Sequence, residues 1–108
     1  MLTSKAAARM ELPLPRERAL AVCRAAIARI DWELVAGEAD LSGRQDPARL
    51  CCYSAPVAVD LELTPSGERT TVALRGEVAG RGPVASRDLR AAMSLLAAAI
   101  GRTSAEPS

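Results

Sequence analysis

Cys23, Cys51 and Cys52 are the strongest nucleophiles this chain offers, and no histidine stands anywhere in the sequence to activate them. Histidine is the usual general base near neutral pH and the commonest metal ligand, so its absence removes Ser-His and Cys-His nucleophile pairs and most zinc sites together. A thiol must then find another cation to lower its pKa. Arg49 is the only one close in sequence to Cys51 and Cys52, and on a strand it would share a face with Cys51. The odd cysteine count without Cys-x-x-Cys spacing points to neither a disulfide scaffold nor a structural zinc site. Neighbouring Cys51 and Cys52 would point to opposite strand faces, and Cys23 reads as a small buried apolar residue. No catalytic residue, metal site or cofactor motif is assigned.

A second constellation is Gly80-Arg81-Gly82-Pro83 ahead of a helical stretch, with Arg87 close behind. Glycines before a helix N-terminus can hold an anion through backbone N–H groups and the helix dipole. That makes Gly80, Arg81, Gly82 and Arg87 a candidate anion site. Gly-x-Gly alone more often marks a tight strand-to-helix turn, and no Lys or Ser/Thr occupies the P-loop positions. Asp40 and Asp46 fall in a polar loop where acids are ordinarily solvated, and Ser42 and Ser86 have no base beside them in sequence.

Composition narrows the classes further. The chain has 108 residues, enough for one domain with a single core. Its 14 basic residues, all but Lys5 arginines, are interleaved with 13 acids for a net charge of +1. With Trp32 and Tyr53 the only aromatics, neither a basic stripe nor a stacking platform for nucleic acid is present. The start lacks the apolar region of a secretory signal, and no run of about 18 apolar residues exists to span a membrane. A reducing, cytoplasmic setting without membrane or nucleic acid is the expectation.

The elements that would position any site follow from periodicity. Residues 1–14 read as a flexible leader, 15–101 as a single α+β domain, and 102–108 as a disordered tail. From Arg16, Leu20, Cys23, Ile27 and Ile30 recur at helical spacing, with Pro15 at the first turn. Asp31 to Val35 alternates, with Trp32 and Leu34 on one face, and Glu38 to Pro47 is turn-rich and polar. Arg49 to Ser54 is expected as a second short strand with Leu50 and Cys52 inward. Val57 to Leu63 and Thr71 to Arg75 alternate strictly around Pro65-Ser66-Gly67-Glu68, which predicts an antiparallel hairpin. Pairing Thr64 with Arg69 would set Leu61 against Val72 and Val59 against Leu74. A closing helix from about Val84 to Ile100 carries Leu89, Met93, Leu96 and Ile100 in one stripe, and Gly101 stands at a C-cap position. The sum is a four-stranded antiparallel meander with both helices packed on one face as a two-layer sandwich.

The succession Trp32-Glu33-Leu34, Ala55-Pro56-Val57-Ala58-Val59-Asp60-Leu61, Thr70-Thr71-Val72, the Gly80 to Pro83 turn and a Leu-rich last helix resembles small uncharacterised α-β-β-β-β-α domains of high-GC bacteria. The resemblance covers about residues 15 to 101, implies the fold, and carries over no site residue.

The sheet's second face remains. Val35, Cys51, Tyr53, Ala58 and Ala73 should project there among Glu33, Asp60, Glu62, Arg75 and Glu77, a mixed face suited to a protein partner or a second copy of the chain. The expected function is therefore a non-enzymatic interaction domain, homodimeric through that face or a sheet edge. The alternatives are a carrier holding a small apolar ligand between helices and sheet, and the cysteine-dependent enzyme.

Overall fold

The computed structural model describes residues 2–50 and 55–106. Its elements are β1 (Thr3–Leu12), α1 (Arg16–Arg29), β2 (Glu33–Leu34), β3 (Leu41–Arg44), β4 (Ala58–Ser66), β5 (Arg69–Ala79) and α2 (Pro83–Ala105). The strands form one five-stranded antiparallel sheet in the order β1-β5-β4-β3-β2. Both helices cover one face, as expected for an α+β sandwich. The extra strand is β1. Thr3–Leu12, read from sequence as part of a flexible leader, pairs with β5 over its whole length, from Thr3 opposite Ala79 to Leu12 opposite Thr70.

The hairpin forms with the expected parity but a different register. Leu61 faces Leu74, not Val72, and Val59 faces Gly76, not Leu74. The tight turn lies at Gly67-Glu68, with Ser66 paired to Arg69, so Pro65 belongs to the strand. Gly67 has φ 63°, the conformation that two-residue hairpin turns demand of glycine. The displacement is two residues, the side-chain period of a strand, so Val59, Leu61, Leu63, Val72 and Leu74 still share the buried face.

Two strands lie elsewhere than their local pattern predicts. The polar stretch expected as a long loop contains β3, and Pro47–Arg49 forms a short 3-10 turn capped by Asp46, whose Oδ1 accepts from the Ala48 amide at 3.0 Å. The expected strand from Arg49 therefore does not begin there, and Cys51 to Ser54 lie outside the described residues. Leu34 is exposed, whereas Trp32 is buried. The cause is the end of α1. Asp31 adopts φ 61°, its amide donates to the Ala28 carbonyl, and the Trp32 amide donates to the Ile27 carbonyl, the paired bonds of a Schellman stop. This turns Trp32 back into the core cluster that contains Ile27.

The last helix runs through Gly101 to Ala105, so residues 102–105 are helical rather than a disordered tail. A mid-helix glycine costs only about 1 kcal/mol. Here the extra turn is tied down: the Thr103 hydroxyl donates to the Ala99 carbonyl at 2.7 Å, and Arg29 pairs with Glu106 across the two helices.

Between the layers the core is filled by Ile27, Val57, Val59, Leu61, Leu74, Leu89, Leu96 and Ile100. Two inward-facing strand positions are glycines. A Cβ on Gly76 would meet Met93 Sδ at 2.8 Å and Leu89 Cδ1 at 2.9 Å, and one on Gly43 would meet Ile27 at 3.3 Å. Thr70, fully buried, donates its hydroxyl to the Leu14 carbonyl at 2.8 Å and so satisfies the one buried polar side chain among the described residues.

Two stability outcomes follow. Gly76→Val forces branched volume under α2 and should cost about 1 to 3 kcal/mol in denaturant unfolding, with Gly76→Ala costing less because a methionine and a leucine tip can give way. Trp32→Ala should cost about 3 to 5 kcal/mol. Native Trp emission should be blue-shifted and move red on unfolding.

Candidate functional site

The sequence pointed to the open sheet face, and the strand registers show how its residues are arranged. Arg44, Ala58, Glu77 and Lys5 lie across from one another in successive strands, with Glu33 facing Arg44 on the other side. The next row is Ser42, Asp60, Arg75 and Ala7, and the next sets Glu62, Ala73 and Arg9 side by side. Arg44 pairs with Glu33 at 3.4 Å, Arg69 with Glu11 at 3.2 Å, and the Ser42 hydroxyl donates to Asp60 at 2.7 Å. The face is a lattice of opposite charges. Ala58 and Ala73 are each set between charged neighbours, and Val35, exposed beside Ser42, lies in a different row from both. The structure thus does not bring Val35, Ala58 and Ala73 together as an apolar patch. Cys51 and Tyr53 lie outside the described residues. A depression of about 620 Å³ opens on this face between the β2–β3 loop, at Glu38 and Ala39, and the strand residues Lys5, Asp60, Glu62 and Arg75.

Asp40 holds that loop in place. Its carboxylate accepts from the Leu63 amide at 2.8 Å and from Arg16 at 2.8 Å, while Arg16 Nε donates to the Leu63 carbonyl at 3.3 Å. Loop, first helix and hairpin strand are joined in one closed set of bonds. The Leu63 amide, helped by Arg16 and opposed by partial burial, holds the Asp40 carboxyl below its ordinary value.

The candidate anion site at Gly80, Arg81, Gly82 and Arg87 is built for a different task. Gly80 and Gly82 take φ 102° and 106°, which glycine alone adopts freely. The Gly80 amide donates to the Leu2 carbonyl at 2.9 Å, and its carbonyl accepts from the Ser4 hydroxyl at 2.8 Å. Pro83 at the first helical position has no N–H, and Arg87 lies 3.8 Å from Asp88. The turn fastens the start of β1 to the end of β5.

Cys23 is a free, fully buried thiol, and burial pushes its pKa up to about 11, away from the reactive thiolate. Leu50, Ala55 and Leu95 line a smaller depression beside α2.

The feature that sequence reasoning missed is the free edge of β1. β2 at the other end of the sheet is two residues long; β1 is ten, in unbroken register with β5 and without proline or bulge. The bond from the Gly80 amide to the Leu2 carbonyl sets the phase of the ladder. Even-numbered residues of β1 direct their backbone groups to β5, so Thr3, Lys5, Ala7, Arg9 and Glu11 turn theirs to the open side. Among the described residues no strand pairs with that side. Unpaired edges of this length are templates for another strand, and proteins usually shorten, kink or cover them.

No protein-family model and no curated protein matches this sequence. Among solved structures, Ara h 8.0201 is similar with a TM-score of 0.59 and 9% sequence identity over 97% of this chain and 100% of that one. The Mll3558 protein from Rhizobium loti aligns with a TM-score of 0.49 and 17% identity over 93% and 96% of the two chains. At 9% identity the first likeness shows the fold alone, a helix-covered antiparallel sheet.

Asp40 supplies a pH signature. A carboxyl whose folded pKa is depressed contributes stability that is present above its unfolded value and lost as pH falls through the folded one. The stability gap between wild type and Asp40→Asn should be widest near neutrality and close progressively below about pH 4, as read by urea unfolding across that range.

Proposed function

We propose that this chain is a non-enzymatic interaction domain that takes up a partner strand along β1. The observation that carries the reading is the ten-residue edge whose alternate N–H and C=O groups face outward, unpaired by any other strand among the described residues. Strand addition supplies main-chain hydrogen bonds for affinity and leaves specificity to alternate side chains. The lattice of charges on the open face supports the edge over the face itself, because paired charges in water gain little from a partner and must be desolvated to meet one. The free, buried Cys23 suits a reducing compartment such as the cytoplasm, and among the described residues no helix is long and apolar enough to cross a membrane.

The carrier reading receives less support. Gly43 and Gly76 let the helices close on the sheet, and buried side chains fill the space where an apolar ligand would sit. The cysteine-enzyme reading rests on Cys51 or Cys52, which lie outside the described residues, and Cys23 adds nothing to it because its thiol is shifted the wrong way.

Proline separates the two sides of β1. Ala7→Pro removes an outward N–H and leaves the β5 ladder intact, whereas Ala8→Pro removes a bond to β5. With immobilised chain as bait, whatever binds the wild type should be lost from Ala7→Pro while its thermal midpoint stays close to wild type. Ala8→Pro should lower that midpoint. Binding that survives Ala7→Pro would refute the edge reading.

A further inference from the structure

We infer that the strand received by β1 is β1 of a second copy, in one specific register that continues the sheet across a two-fold axis at Ala8. This rests on the edge reading above and names its partner. The outward backbone groups belong to odd-numbered residues, so hydrogen-bonded pairs must join odd residues to odd residues, and the open faces of both copies then lie on the same side. Two such antiparallel alignments overlap nearly the full strand, one with its axis at Ala7 and one with its axis at Ala8.

Charge decides between them. An axis at Ala7 sets Lys5 against Arg9 of the second copy, twice by symmetry, and like charges directly opposite are destabilising. An axis at Ala8 sets Lys5 against Glu11 of the second copy, also twice, and places Arg9 against Ala7. An axis one step further, at Arg9, would set that arginine against itself. An axis at Met10 would set Arg9 against Glu11 but leaves only Ala8 to Leu12 overlapping, so among alignments that overlap over most of the strand the Ala8 register alone gives opposite charges facing each other and no like-charged pair.

The backbone and the covered face agree with it. Ala8 directs its own backbone groups to β5, so the two Ala8 residues at the axis form a non-hydrogen-bonded pair, the closer type, about 4.5 Å between Cα atoms. Small side chains suit that approach. On the helix side the same register sets the half-buried Met10 against Ala6 of the second copy, and Leu12 against Ser4, extending the apolar row under α2. A two-fold contact of this kind is self-complementary and closes at two copies.

The test is sedimentation equilibrium on the purified full chain at tens of micromolar, with charge reversals at the two facing positions. The wild type should be dimeric. Lys5→Glu and Glu11→Lys should each weaken the dimer by roughly tenfold, since each turns two attractive pairs repulsive. The combined Lys5→Glu/Glu11→Lys chain should regain wild-type affinity. Both side chains are on exposed strand positions, so circular dichroism should show all variants folded. In the Ala7 register Lys5→Glu would instead tighten the dimer, by facing Arg9. A monomeric wild type, a tighter Lys5→Glu dimer, or a double variant no better than the singles overturns the inference. Should the wild type be monomeric yet still bind another protein that Ala7→Pro loses, self-pairing falls and the edge reading stands; should Ala7→Pro change nothing, both fall.

Discussion

The distance between helices and sheet is set where the strands carry no side chain. Under α2, Gly76 leaves room for Met93 and Leu89 to rest almost on the β5 backbone, and under α1, Gly43 does the same for Ile27. With each helix seated over a glycine, the remaining inward residues of the described chain are buried between helices and sheet. The same seat orients the strands. β5 is paired on both sides and carries Val72, Leu74 and Val78 inward beside Gly76, so docking α2 there aligns β4 on one flank and β1 on the other. β1 has few large side chains of its own, and it is held by β5, by α2 and by the Gly80 turn rather than by intrinsic strand preference.

The two faces of the sheet obey different physics as a result. The covered face is non-directional packing, where the hydrophobic effect dominates and volume is what counts. On the open face, Glu33 with Arg44, Asp60 opposite Arg75, and Glu11 with Arg69 neutralise one another pairwise in water. Each exposed pair stabilises by little, on the order of 0 to 1 kcal/mol. Their stronger effect is on register: a one-residue slip is already forbidden because it turns apolar residues outward, whereas a two-residue slip of β1 along β5 keeps them inward and is opposed by charge, since it sets Arg75 against Lys5 or Arg9. The face therefore specifies the sheet more than it offers a surface to bind.

How much of this could be read from the sequence depended on whether local pattern or tertiary context decided each element. The hairpin was legible because Val57 to Leu63 and Thr71 to Arg75 alternate strictly; its register was not, because the choice between a turn at Pro65 and one at Gly67 leaves parity unchanged and so leaves no trace in the hydrophobic pattern. Both helices were legible, but Gly101 misled, since a glycine within a helix differs from a capping glycine only through what the following residues bond to. β1 was illegible for a definite reason. Ser4, Ala6 and Ala8 on its inward side are small, and alanine has low strand propensity, so no period-two signal rises above the background of an alanine-rich chain. β3 hid because Gly43, needed beneath Ile27, reads in isolation as a turn residue. The site inherited these errors. Val35, Ala58 and Ala73 were placed on the correct face, but only the true registers show that charges separate them, and the edge could not be seen without β1.

An unprotected edge is ordinarily a hazard, and the composition of β1 bears on why this one need not lead to open-ended aggregation. Steric zippers and promiscuous edge pairing favour large β-branched or aromatic residues and low charge. β1 offers neither: its centre is Ala6-Ala7-Ala8, and its open-face side chains include Lys5, Arg9 and Glu11. A strand so poor in side-chain contacts must draw its association energy from backbone hydrogen bonds, which any register of correct parity supplies about equally. Discrimination then falls to the few charges, and with two basic residues and one acid in alternate positions most alignments are penalised. Among the described residues the opposite edge, β2, is only two residues long, too short to template a further strand, and beyond it the Leu63 amide and carbonyl of β4 are taken by Asp40 and Arg16. Growth that can start at one edge and cannot propagate from the other ends at a single pairing event, which is the geometric condition for a closed complex instead of a fibre.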